Sequence, residues 1–234
     1  MGAYFDFSKI PGLMASTLQA FPTTLKLVVW SLVFSLLIGL LFAFFSLSKS
    51  KVLNTIAKGY VAFMRGMPVL VLIFILYFVA PVYLKKLGID TSSWSKDLFI
   101  IITLSLSTAA NMSEMMRSSY QAVSRYQWEA SYSVGMTNFD AFRRIIFPQA
   151  FGVAIPNLGN NIVALFKATS LAFSIGVLDI FGKAQLISGR LFGLNRAELY
   201  LGVALVYWII CVLLEWVTKR AEKVYTKGRK VQTI

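Results

Sequence analysis

Residues 27–48 read LVVWSLVFSLLIGLLFAFFSLS, an uncharged run between Lys26 and Lys49. A helix of roughly 20 apolar residues at 1.5 Å each crosses the hydrocarbon core of a bilayer, and this run meets that length without a break. A helix that is apolar on every side lies either inside a large core or across a membrane. A chain of 234 residues, 57% of them hydrophobic, has the composition of a polytopic membrane protein forming a single domain over 1–234.

Outward from that run the same signal repeats. A second span is expected from Gly66 to Leu84, with Pro68 and Pro81 marking irregular ends. A third, shorter one is LFIIITLSLSTAANMS, between Asp97 and Glu114. The fourth, IIFPQAFGVAIPNLGNNIVALF, lies between Arg144 and Lys167, and Pro148, Pro156 and the NLGNN cluster predict a kinked or interrupted helix. ATSLAFSIGVL follows and is about half a bilayer long, which reads as a re-entrant or packed segment. The last span runs from Leu199 to about Val217. The fold class is all-α: a membrane helix bundle of about five spans.

Five spans place the termini on opposite sides, and lysine and arginine choose the direction. Fourteen of them lie in 49–65, 117–144 and 219–230, against seven on the other side. The expected topology therefore has the N-terminus outside and the C-terminus cytosolic, with a basic tail over 218–234 beside anionic lipid. The formal net charge of +13 follows from this topology and not from a nucleic-acid-binding face. Cys211 as the only cysteine excludes an internal disulfide, and the absence of histidine removes the commonest zinc ligand and general base. MGAYFDFSKIPG lacks the basic region of a cleavable signal peptide.

One charged stretch interrupts the apolar chain, EASYSVGMTNFDAFRRIIFPQA, residues 129–150, within a loop expected over 118–147. Tyr120, Val123, Gln127 and Ala130 fall on one helical stripe without a breaker. Gly135 suits a left-handed residue past a helix end, and Thr137 with Asp140 forms an imperfect capping box. Phe139, Phe142 and Ile146 then line one face of a second helix. Two short helices at an angle could dock into another protein or form a solvated hairpin with no special role, and periodicity does not separate these readings.

Residue identity does separate them. Glu129, Ala130, Ser131, Gly135, Ile145, Phe147 and Pro148 closely resemble the EAA signature of bacterial ABC-transporter permeases, with every spacing matched and Ser131 and Phe147 as mild departures. Arg65, Gly66 and Pro68 resemble the RGTPL stretch of the polar amino-acid permeases, with Met67 in place of Thr. Glu114 and Arg117 resemble its SEIFRG region, and NLGNNIVALFKATSL its LGNEFI and LKDTSL segments. The resemblance, covering about 17–217, implies a permease subunit of a polar amino-acid importer. Its expected partners are a second permease subunit, ABC ATPase subunits in the cytosol, a solute-binding protein outside and membrane lipid. ATP and magnesium are then expected on the ATPase subunits, with no cofactor or metal on this chain. A helix from about Ser131 to Phe142 would be the coupling helix in the ATPase cleft, with Phe139 on it.

GVLDIFGKA, residues 176–184, is not a phosphate-binding loop, because one residue too many separates its glycines and Ala184 stands where a hydroxyl is needed. The rival function is an ion-coupled secondary amino-acid transporter, but no carboxylate sits in the middle of a clear span. A third is a membrane assembly protein without transport activity. Asn157, Asn160, Asn161, Lys167, Thr169 and Ser170 gather polar groups in the proline-broken fourth span, either holding helices together or lining a substrate pathway. Asn161 and Ala168 stand where the family often carries Glu and Asp, which argues against a cationic cargo. VAPVYLKKLGIDTSSWSKD and LYLGVALVYWIICVLLEW resemble the cystine-type members. Ser35, Gly39 and Ala43 repeat small residues every four positions, a helix-packing face that could serve a dimer.

Overall fold

A computed structural model describes residues 5–227. Arg229 and Lys230 of the expected basic tail lie outside the described residues, as do the first four positions of the N-terminal segment. Among the described residues a 3₁₀ turn at Phe7–Lys9 precedes nine longer helical elements: α1 Ile10–Leu18, α2 Phe21–Leu47, α3 Lys51–Gly66, α4 Val69–Lys86, α5 Lys96–Gln121, α6 Arg125–Ser133, α7 Asn138–Ile175, α8 Ile180–Arg190 and α9 Arg196–Thr226. Five of them, α2, α4, α5, α7 and α9, are long and apolar enough to cross a membrane.

The central helix is α5, which packs most extensively on α2 and also on α7. Its residues explain why it reads weakly as a span: Thr103 and Ser105 are buried hydroxyl positions. Each hydroxyl is satisfied by its own helix, Thr103 donating to the Phe99 carbonyl at 2.7 Å and Ser105 to that of Ile101 at 2.5 Å. Such side chains can be buried without an unmet polar group. They leave a narrow flank for close helix approach. The helix runs past Glu114 to Gln121, longer than the apolar run alone predicts.

On α2, Ser31, Ser35, Gly39 and Ala43 form one buried stripe. A Cβ on Gly39 would come within 2.7 Å of the Met112 Cβ and 3.2 Å of the Ala109 carbonyl oxygen. The small-residue face is thus occupied by α5 of the same chain, and a dimer through it is excluded by packing. The leading ends of the pair are joined by Lys26 and Asp97 at 2.8 Å.

Two spans contain the same local device. In α4 the N–H of Ala80 bonds to the Ile75 carbonyl, and in α7 that of Phe147 bonds to the Phe142 carbonyl, so each helix makes a π turn immediately before a proline, Pro81 or Pro148. Proline cannot donate to the carbonyl four residues back, and a wider turn is one way a helix passes it. The fourth span is accordingly uninterrupted from Asn138 to Ile175, with Pro156 inside it.

The half-length segment after it, Thr169–Ile175, is a 3₁₀ continuation of α7 that ends on left-handed Gly176 at φ 81°. Asp179 then caps α8, accepting from the Gly182 N–H at 2.8 Å and from the Tyr207 hydroxyl of α9 at 3.1 Å. Thr24 of α2 accepts from the Ile180 N–H at 3.1 Å. The glycines of GVLDIFGKA therefore serve a turn and a close approach, since a Cβ on Gly182 would collide with the Val177 carbonyl. Burial pushes the Asp179 carboxyl up from its ordinary value. α3 lies alongside the bundle, Tyr60 stacking on Phe42 at 3.8 Å and donating to the Leu106 carbonyl at 2.6 Å.

Candidate coupling loop and polar face

The charged loop has a defined shape. A break at Ala122–Ser124 separates it from α5, so the stripe from Tyr120 to Ala130 is not one helix. Ser124 caps α6 by accepting from the Tyr126 N–H. That helix holds Glu129, Ala130 and Ser131, and it ends at Ser133.

Gly135 follows at φ 76°. Its N–H bonds to the Tyr132 carbonyl at 2.9 Å, and the N–H of Met136 bonds to that of Ser131 at 3.1 Å. This pair of bonds closes a helix end through a left-handed residue, which only glycine adopts without strain. Thr137 then caps α7, accepting from the Asp140 N–H at 3.2 Å and donating to the Asp140 carboxylate at 2.8 Å, the expected imperfect capping box. Across the turn the Tyr132 hydroxyl donates to Asn138 Oδ1 at 2.7 Å.

The expected helix from Ser131 to Phe142 is therefore two helices bent at Gly135, because the glycine ends the first one. Ser131 is buried and donates to the Gln127 carbonyl at 2.6 Å, while Glu129 pairs with Arg125 at 3.5 Å on the exposed side. Phe139, Phe142 and Ile146 do not share a face. Ile146 is fully buried and Phe139 is 68% exposed, since the π turn over Phe142–Ile146 shifts the helical phase between them. Ile145 offers its carbonyl to the Gln149 amide at 3.0 Å, and that amide also reaches Gln127 at 3.3 Å, fastening α6 to α7.

Tyr126 at 76% and Val134 at 73% exposure join Phe139 as unburied apolar side chains on this loop. Sequence reasoning missed both. The available signal is partial: Tyr126 falls off the stripe of Val123, Gln127 and Ala130, whereas Val134 would continue it and is exposed because the helix ends at Ser133.

The second motif also comes together. Arg65 ends α3, Gly66 closes it, and Pro68 caps α4 after extended Met67. Glu114 and Arg117 form an ion pair at 2.7 Å, with a second contact at 3.3 Å, and Arg117 donates to Gln121 at 2.7 Å. Arg65 adds its positive charge to the field at Glu114 from the α3 end.

Of the six polar residues of the fourth span, Asn157, Asn160 and Lys167 lie on one exposed face of α7. Ser170 sits at the edge of that face and donates to the Lys167 carbonyl at 2.7 Å. Asn161 instead turns to α5, where its amide meets the Met115 sulfur at 3.8 Å. Thr169 is fully buried and donates to the Phe166 carbonyl at 2.7 Å, away from the face. Uncompensated asparagines and a lysine at membrane depth are costly against lipid and belong against protein or water.

Residues 35–226 match the model of a family described as "Binding-protein-dependent transport system inner membrane component". The chain is 37% identical to the L-cystine transport system permease protein TcyL of Bacillus subtilis (strain 168), over 96% of this chain and 93% of that protein. It is 38% identical to the probable amino-acid ABC transporter permease protein PatM of Vibrio harveyi, over 95% and 99% of the two chains. Among solved structures, an amino acid ABC transporter crystallised with histidines superposes with a TM-score of 0.80 at 26% identity, over 93% of this chain and 98% of that one. The chain thus belongs to the inner-membrane components of binding-protein-dependent transport systems, as an amino-acid ABC importer permease.

Proposed function

We propose that the chain carries a polar amino acid inward, L-cystine foremost, while separate ATPase subunits bind ATP and magnesium and act on the loop formed by α6 and the start of α7. The observation that carries this reading is the Gly135 turn. It folds the charged loop into a rigid hairpin that presents Tyr126, Val134 and Phe139 to solvent while Ile146 and Gln149 tie it to the bundle. Exposed aromatic and aliphatic side chains on a rigid element suit a helix-in-groove contact with a partner.

In this reading the N-terminus lies outside, and the loop and C-terminus lie in the cytosol, following the positive-inside distribution. A second permease chain, identical or paralogous, covers the face of Asn157, Asn160 and Lys167, and the pathway runs between the two. An external solute-binding protein delivers cargo. L-Cystine is favoured by the likeness to TcyL and by Asn161 and Ala168, neutral residues where the family often carries the acidic groups that suit a cationic side chain.

The test is reconstitution of the full complex in liposomes, with ATP hydrolysis and uptake compared for L-cystine, L-glutamine and L-arginine. Stimulation by L-cystine above the other two is expected. Preference for L-arginine would overturn the cargo assignment, and hydrolysis that never responds to any amino acid would overturn the transport reading.

A further inference from the structure

The last turns of α9 reach back to the exact place where the loop enters the fourth span. The Tyr225 hydroxyl donates to the Pro148 carbonyl at 3.0 Å. Its ring packs edge-on against Phe151, with centroids 5.2 Å apart. Gly152 faces that ring, where a Cβ would sit in ordinary contact at 3.4 Å. Two turns further along α7, Gly159 is required by Thr218, whose Cβ would lie 2.7 Å from an added Cβ and which lies two turns before Tyr225 on α9. The two helices therefore run antiparallel in a register set by Gly159 against Thr218 and continued by Gly152 and Phe151 against Tyr225.

The joint being braced is weak on its own. Pro148 has no N–H to give, and the preceding turn is a π turn in which Phe147 bonds five residues back. A helix at such a point bends more readily than a regular one. A push on the loop that passes this joint reaches the fifth span only if α7 and α9 are fastened together there. Tyr225 fastens the span side of the joint to α9, with its hydroxyl on the Pro148 carbonyl and its ring against Phe151 one turn beyond.

We infer that Tyr225 is a positioning residue for energy coupling: it fastens the fifth span to the fourth at the Pro148 joint, so that movement of the loop turns the two spans together. This rests on the reading of the loop as the ATPase contact. The residue touches neither nucleotide nor cargo in this scheme. It acts through Pro148, and its loss lets the fourth span move without carrying the fifth.

The experiment uses the complete complex, with its ATPase subunits and binding protein, in liposomes. The probe is a radiolabelled mixture of the common L-amino acids supplemented with L-cystine, and uptake is divided by ATP hydrolysed in the same vesicles. Tyr225→Phe keeps the ring and removes the hydroxyl. Expected is an intact complex with near-normal hydrolysis and a roughly two- to tenfold fall in uptake per ATP, the range for an ordinary hydrogen bond. An unchanged ratio overturns the proposal. So does loss of the ATPase subunits or an equal fall in both activities, since a docking or folding residue would produce that. Gly135→Val in parallel reports on the underlying reading. If that variant retains full coupled uptake, the loop assignment and this proposal fall together; if it is defective while Tyr225→Phe is normal, only the Tyr225 proposal falls.

Discussion

Gly135 offers a graded test of the coupling loop. Its φ of 76° lies in the left-handed region, and a Cβ built on it meets nothing within 4 Å. A side chain there would clash with no neighbour, so the whole cost of substitution is conformational. An ordinary residue pays about 1–2 kcal/mol to hold that backbone, a β-branched one pays more, and asparagine pays least. If the turn opens instead, the bonds from Gly135 to Tyr132 and from Met136 to Ser131 are lost, and the Tyr132–Asn138 contact with them. At about 1.4 kcal/mol per tenfold, a cost of about 1–3 kcal/mol lowers the ratio of formed to opened hairpin roughly 5- to 150-fold. The series Gly135→Asn, Gly135→Ala and Gly135→Val should therefore lose amino-acid-stimulated ATP hydrolysis and uptake in that order. Expression and membrane insertion should stay near wild type, because the turn lies outside the packed bundle. The assay is stimulated hydrolysis in purified complex beside uptake in vesicles. If asparagine and valine behave alike, or valine retains full coupled uptake, the left-handed turn is not what the loop depends on.

Two further outcomes follow from packing and charge. Gly159→Ala should lower the thermal stability of the detergent-solubilised protein by about 1–3 kcal/mol, the usual overpacking cost; because the Thr218 Cβ itself would lie 2.7 Å from the new methyl, Thr218→Gly should rescue it and Thr218→Ala should not. Burial raises the Asp179 carboxyl, so its protonated form is favoured in the fold, and that stabilisation is fully present below the ordinary carboxylate value and lost as pH rises through the raised one. Asp179→Asn keeps an acceptor for the Gly182 N–H and should flatten the change in melting temperature across that acid window; an unchanged slope would refute the assignment.

The spans were legible because bilayer thickness imposes a length and an apolar content that survive in any sequence order. The Gly135 turn and the Thr137 cap were legible because both are local devices carried by two or three residues. The amphipathic α3 and the short α8 were not, since neither is uniformly apolar and each takes its place from contacts such as Tyr60 on Leu106 or Ile180 on Thr24. The allocation of faces on α7 was only half legible. Asn157, Asn160 and Lys167 share a helical stripe, but whether Asn161 turns outward or toward Met115 depends on where α5 lies. Tyr126 and Val134 were missed because an exposed apolar residue has no periodic signature of its own.

The π turn over Phe142–Ile146 amounts to one extra residue threaded into a regular helix. Each residue of an α-helix advances the chain by about 100° around the axis. The π turn takes up that residue locally, so deleting one residue from it would restore a regular helix and leave the loop near its present angle, whereas a deletion in a regular turn between the loop and the fourth span would swing the loop by about that angle. A homologue could therefore shorten the spacing from Gly135 to Pro148 by that one residue and keep its partner contact aimed as it is here.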